Sequence, residues 1–266
     1  MKAITAYLKV ISFSLYVLIS FTFYMLMLGL RTLFRLPFEP WRNVYMRHLS
    51  KVVCFIFNIK VRKHGTPPSA PFYLVCNHLS YLDIIPLFMT LDCTFIAKKE
   101  IRSWPVLGYM VHKMGVVFVN RQKRSDVVRV NQIIQAATNQ YQGIIVFPEG
   151  TSSAGRKVLP LKSSLLQYPA STQQAVHAAA LRYKTGDKDT PAIDSVCFFG
   201  GRHSFMEHFM LMAKNKRIEC HITFDENPVI ESDRKLLTQK LREKISGVFI
   251  PTAPPLEDMD IQRVRE

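Results

Sequence analysis

At 266 residues the chain can bury a sizeable core, and one large α/β domain with an appendage is the natural expectation. Its 35 Lys+Arg against 20 Asp+Glu leave a net +15, which points to an anionic partner. The five cysteines, Cys54, Cys76, Cys93, Cys197 and Cys220, are scattered, odd in number and without C-x-x-C spacing, which argues against a disulfide framework and against a zinc site.

The chain begins with the feature that says which anion is meant. Residues 10–30 are 21 consecutive uncharged residues, close to the ~20 that cross a bilayer as a helix. Residues 1–63 hold ten Lys/Arg and one acid, Glu39, so +9 of the net charge lies there. A membrane is therefore favoured over nucleic acid. The apolar run is too long for a cleaved signal peptide and no small-x-small site precedes Arg31, so it is expected to be kept as an anchor. Cations crowd its carboxyl side, which places the body of the protein in the cytosol.

Leu36-Pro37 breaks this helix. A second helix is expected from Glu39-Pro40-Trp41 through Tyr45, Met46, Leu49, Val52, Val53 and Phe57, with Arg42, Arg47 and Lys51 between them, the pattern of an interfacial amphipathic helix. Ser12, Ser14, Ser20 and Thr22 dilute the first segment, so a re-entrant or surface-lying helical pair stands beside the preferred single span.

Gly65-Thr66-Pro67-Pro68-Ser69 reads as a loop separating a membrane part, 1–64, from an α/β domain, 65–250. Strands are expected at 72–76, 93–97, 116–120, 144–147, 176–181, 195–199 and 219–224, and helices near 82–89, 105–114, 125–141, 163–167 and 205–213. A last helix is expected after Ser232 as N-cap, ending before Gly247. Such alternation predicts a mixed, largely parallel sheet flanked by helices. The tail, 251–266, has little to bury and is expected to be loose.

Four of these strands deliver polar residues at their carboxyl ends, where open α/β sheets place their ligands. The first run ends in Asn77-His78-Leu79-Ser80-Tyr81-Leu82-Asp83. His78 can take a proton near neutral pH, and Asp83 can orient it if the turn folds back. A second run ends in Phe147-Pro148-Glu149-Gly150-Thr151-Ser152, where Gly150 lets main-chain amides approach a ligand, Glu149 can accept from hydroxyls and Thr151 can donate. A third is Gly115-Val116-Val117-Phe118-Val119-Asn120-Arg121, ending in a permanent cation able to hold phosphate, and Lys98 with Lys99 closes the run at 95–97 in the same way. Taken singly, each has an ordinary structural explanation: a packed histidine, a capped turn, a solvated basic stretch.

Together, N-H-x-S-x-x-D, G-V-V-F-V-N-R and F-P-E-G-T, in this order and spacing, resemble the first three motif blocks of the glycerolipid acyltransferases, the 1-acylglycerol-3-phosphate O-acyltransferase family, over 72–183 with a weaker echo to 224. The resemblance implies that His78 is the general base and Asp83 orients it. An acceptor hydroxyl would then attack an acyl thioester directly, with acyl-CoA or acyl carrier protein as co-substrate and no bound cofactor or metal. It further implies a supporting role for Asn77 in substrate binding. Arg121, Glu149, Gly150 and Thr151 would hold the phosphate and glycerol part of a lysophospholipid acceptor. Lys98, in the F-x-A-K pattern, would assist with the phosphate or the oxyanion. The implied setting is a membrane, with the catalytic domain on the cytoplasmic face, the inner membrane in a bacterium; membrane lipids are the partners and nucleic acid is not.

Two departures bear on the acceptor. Ser152 stands where many members carry Arg, and the fourth block, Ala175-Val176-His177-Ala178-Ala179-Ala180-Leu181-Arg182-Tyr183, lacks the usual proline. Arg156 and Lys157 are candidates to replace the cation, and the acceptor alternatives are lysophosphatidate and another lysolipid such as lyso-ornithine lipid. A non-catalytic lipid-binding protein has no need of His78, Asp83 and Glu149. A metal hydrolase finds no ligand spacing among His112, His177, His203, His208 and His221.

Overall fold

The computed structural model describes residues 2–104, 107–119 and 127–253. The apolar runs become strands β1 (Ile59–His64), β2 (Tyr73–Cys76), β3 (Cys93–Lys98), β4 (Val117–Val119), β5 (Gly143–Val146), β6 (Val176–Thr185) and β7 (Ile218–Phe224). They form one sheet in the order β1-β7-β6-β2-β5-β3-β4. Every pairing is parallel except β6 with β7. Strand side chains alternate faces. Leu74, Cys76 and Ile145 join one core while Tyr73, Val75, Ile144 and Val146 join the other, so both faces need a covering layer.

Helices supply it. Residues of α2 (Phe38–Phe57), α3 (Ile84–Thr90) and α8 (Phe205–Ala213) pack into the first core. Those of α5 (Val127–Ala137), α6 (Gln167–Ser171) and α9 (Arg234–Val248) pack into the second. The other α-helices among the described residues are α1 (Lys2–Phe34), α4 (Leu107–Lys113) and α7 (Ala192–Ser195). The expected fold class, a largely parallel sheet flanked by helices, is the one observed.

By length and composition α1 can cross a membrane, and it presents Leu8, Ile11, Leu15, Leu18, Phe23 and Leu26 outward. Its other face lies along the body for most of its length. Lys9 donates to the Asn215 carbonyl at 2.6 Å, Phe13 packs on Phe57 and Phe209, and Tyr24 donates to the Lys113 carbonyl at 2.8 Å and stacks on Trp41. Arg31 lies over the Phe38 ring.

Several expectations change. Residues 195–199 are not a strand: α7 ends at Ser195, and the segment after it crosses to the site turn, where the Phe198 N–H donates to the Leu79 carbonyl at 2.9 Å. Residues 59–64, where the sequence pattern predicts no element, form β1 beside β7. The chain turns into it through Asn58, whose left-handed conformation (φ 52°) caps α2 and whose side chain donates to the Lys216 carbonyl. The cap of α9 is Asp233, accepting from the N–H groups of Lys235 and Leu236, in place of Ser232, and Gly247 lies inside the helix. The tail begins packed, since the Thr252 N–H donates to the Gly155 carbonyl at 2.7 Å and Ala253 is buried. Residues 254–266 lie outside the described residues.

Candidate active site

The site is assembled where β2 and β5 end side by side. Their register pairs Val75 with Val146, and the same offset of 71 residues brings the His78 main-chain N–H to Glu149 Oε2 at 3.2 Å. The Ser153 N–H in turn donates to the His78 carbonyl at 2.9 Å. Two motifs far apart in sequence are thereby laced into one wall.

Asp83 reaches His78 because the chain after Ser80 makes a single tight turn, Tyr81–Asp83. A reciprocal capping box closes it: Ser80 Oγ accepts from the turn's main chain and the Asp83 carboxylate accepts from the Ser80 N–H. The fold-back on which any partnership of Asp83 with His78 depends is therefore written in S-x-x-D. Asp83 Oδ2 accepts from His78 Nδ1 at 2.8 Å, from the Leu79 N–H at 2.7 Å and from the Ser80 N–H at 3.1 Å, while Tyr183 donates its hydroxyl to Oδ1 at 3.0 Å. A fully buried carboxylate needs such partners, and this one has four donors. With the Nδ1 proton directed at Asp83, Nε2 is left as the acceptor, the tautomer a general base requires. The ring stacks on Phe147 with centroids 4.3 Å apart and its side chain is 24% exposed, fixed in plane yet reachable.

Glu149 is buried, and both of its oxygens receive main-chain N–H groups, from His78 and from Leu159 at 3.0 Å. Burial pushes its carboxyl up to about 7, with those two hydrogen bonds opposing the shift. Its visible task is to clamp the two strand ends together. Asn77 does likewise on the other side: its amide donates to the Leu181 carbonyl at 3.1 Å and accepts from the Leu181 N–H at 2.7 Å, tying β2 to β6. Both amide groups are thus engaged within the fold. Gly150 adopts φ 73°, and a Cβ there would meet Lys162 Nζ at 2.9 Å. Thr151 is exposed beside it. Lys98 is exposed at the end of β3, on the same edge of the sheet as His78 and Glu149. Arg121 lies outside the described residues.

The Ser152 hydroxyl donates to the Phe198 carbonyl, so it braces the 196–199 segment. Two residues were not marked out by the sequence reading. Tyr183 sits in the fourth block, but only the β2–β6 pairing shows that its hydroxyl meets Asp83. Lys162 follows a proline-containing stretch with no motif of its own. Among the described residues no group of three or more His, Cys, Asp or Glu is placed to hold a metal ion.

A protein-family model described as Acyltransferase matches residues 58–181, a span that includes both laced turns. The 1-acyl-sn-glycerol-3-phosphate acyltransferase of Neisseria meningitidis serogroup B is 40% identical over 217 residues, 80% of this chain and 83% of that protein. The chain belongs to the glycerolipid acyltransferases. It is an enzyme of the 1-acylglycerol-3-phosphate O-acyltransferase type. The acyltransferase is also similar to the lyso-ornithine lipid O-acyltransferase of Rhizobium meliloti (strain 1021), at 29% identity over 219 residues, 75% of this chain and 74% of that one. The crystal structure of the 1-acyl-sn-glycerophosphate acyltransferase PlsC from Thermotoga maritima shares its fold, with TM-score 0.63 and 20% identity over 93% of this chain and 98% of that one.

Proposed function

We propose that this acyltransferase moves a fatty acyl group from a thioester, acyl-CoA or acyl carrier protein, to the free hydroxyl of 1-acyl-sn-glycerol-3-phosphate, giving phosphatidate. The observation that carries the reading is the His78–Asp83 pair, with a buried, four-fold hydrogen-bonded carboxylate behind an accessible imidazole. His78 Nε2 takes the acceptor hydroxyl proton as its oxygen attacks the thioester carbonyl. The C–S bond then breaks, and the imidazolium returns the proton to the leaving thiolate. Asp83 stabilises the imidazolium while it lasts. Lys98, Arg121 and the turn at Gly150 and Thr151 hold the acceptor.

The enzyme works at a membrane surface. Of the two arrangements compatible with the sequence, the in-plane helical pair is the better supported. A helix of 33 residues is ~50 Å long, and contacts to the body recur from Lys9 to Arg31, leaving its outward apolar face for lipid. The membrane-facing part then falls within 1–64 and the catalytic part within 65–250, with β1 lent to the sheet. The cations of the amino-terminal part suit the anionic cytoplasmic leaflet, where lysophospholipid and donor meet.

A second acceptor, lyso-ornithine lipid, is favoured by Ser152 in place of arginine and by the similarity to enzymes named for that substrate. Purified enzyme assayed against a panel of lysolipids with both donor types decides between them. The highest kcat/KM is expected on lysophosphatidate; preference for lyso-ornithine lipid would overturn the assignment of the acceptor.

A further inference from the structure

We propose that Lys162 supplies the cation that binds the acceptor's phosphate monoester, in the role left open by Ser152. The inference rests on the lysophosphatidate reading above and names a residue of that site. Three observations carry it.

The side chain standing where the arginine would be is not free to hold an anion, because the Ser152 hydroxyl is committed to the Phe198 carbonyl. Arg156 is already engaged within the protein. The ammonium of Lys162 reaches over the motif turn: a methyl group at Gly150 would lie 2.9 Å from Nζ and 3.1 Å from Cε. The bare glycine is what lets the lysine lie there.

Lys162 is also rooted firmly. Its own N–H donates to the Pro148 carbonyl at 2.8 Å, and the turn that follows it, Ser163–Leu166, buries Leu165 and Leu166 in the second core. The side chain itself is exposed and reaches the turn from this anchored main chain. Yet among the described residues Nζ has neither an ion-pair nor a hydrogen-bond partner, since the neighbouring acid, Glu149, turns both oxygens to main-chain N–H groups.

The turn adds neutral donors. Among the described residues the N–H groups of Thr151 and Ser152 find no acceptor. A lysine ammonium next to unsatisfied amides that follow a left-handed glycine is the donor set of a phosphate site. Because the same wall carries His78, a phosphate held here fixes the acceptor's distance from the base.

The test is steady-state kinetics of full-length enzyme in mixed micelles, with 1-oleoyl-lysophosphatidate as acceptor and whichever acyl thioester the wild type accepts. Lys162→Met is expected to raise the acceptor KM roughly 10- to 100-fold, the range for losing a hydrogen bond to a charged group, with kcat changed less than about threefold. The donor KM and the thermal midpoint should stay as they are, and Lys162→Arg should keep the acceptor KM within about threefold of wild type. An unchanged acceptor KM in Lys162→Met overturns the proposal. So does a matching loss in kcat and both KM values, the mark of a structural role, or a rise in the donor KM alone, which would assign the lysine to the donor's phosphates. Should Lys162→Met fail to fold, Lys162→Gln is read by the same criteria. Absence of wild-type activity on lysophosphatidate would defeat the underlying reading, whereas normal wild-type activity with an indifferent Lys162→Met defeats the assignment of Lys162 alone.

Discussion

Replacing Asp83 by asparagine isolates the charge behind His78. The amide can present its oxygen to His78 Nδ1 and to the Leu79 and Ser80 N–H groups, and its nitrogen to the Tyr183 hydroxyl, which then accepts. The imidazole stays in place and only the negative charge is lost. At a contact of 2.8 Å between Nδ1 and Oδ2 the charge centres of an imidazolium–carboxylate pair lie some ångströms apart. Unit charges ~4 Å apart at an effective dielectric constant of ~20 interact by about 4 kcal/mol. Because that attraction exists only while His78 carries the acceptor's proton, its loss falls on the transition state and lowers kcat by roughly 10³-fold with little change in KM. Initial rates at saturating acceptor and donor, with circular dichroism to establish folding, make the measurement. A folded Asp83→Asn enzyme with kcat within about tenfold of wild type would refute the role of Asp83 as electrostatic partner of the base.

Other outcomes follow from the same geometry. The carboxyl of Glu149, raised from its ordinary 4.5 to about 7 by burial, keeps a proton in the folded protein that the unfolded chain has already released. Stability should therefore fall as pH rises from about 4.5 to 7, by roughly 3 kcal/mol, and Glu149→Gln should flatten that slope in urea melts; an identical slope in the variant would count against it. Tyr183→Phe removes one donor to a buried carboxylate and should cost roughly 1.5–3 kcal/mol of stability, read from the urea midpoint, which would remain unchanged if the bond were unimportant. Leu18→Asp together with Phe55→Asp, at positions 66% and 85% exposed, should sharply reduce co-sedimentation with anionic vesicles, and undiminished binding would speak against the membrane-facing surface.

Much of the fold could be read from the chain because its central strands are buried on both faces and so appear as continuous apolar runs, as at 73–76 and 143–146. The edge strand β1 escaped for the opposite reason. Its sequence, Ile59-Lys60-Val61-Arg62-Lys63-His64, has only Ile59 buried and resembles a basic surface stretch, and the left-handed turn at Asn58 before it is visible only in the structure. The run 195–199 misled because Val196 and Cys197 are apolar as members of the first core, in a segment that pairs with no strand among the described residues. At the site, residues that act within one turn were legible: Ser80 and Asp83 encode their own fold-back. Contacts made across the sheet were not. Glu149 bonding to the His78 main chain, Tyr183 reaching Asp83 and Lys162 lying over Gly150 depend on register and on close approach, which spacing in sequence does not contain.

The central claim is that His78 is the base for acyl transfer to lysophosphatidate. It is tested most directly by measuring phosphatidate formation with purified wild-type and His78→Ala enzymes in the same micelles, at saturating thioester and acceptor. The account predicts phosphatidate from the wild type and a rate lower by about 10³-fold or more from a folded His78→Ala protein with an unshifted thermal midpoint. Near-normal turnover by that variant would contradict it.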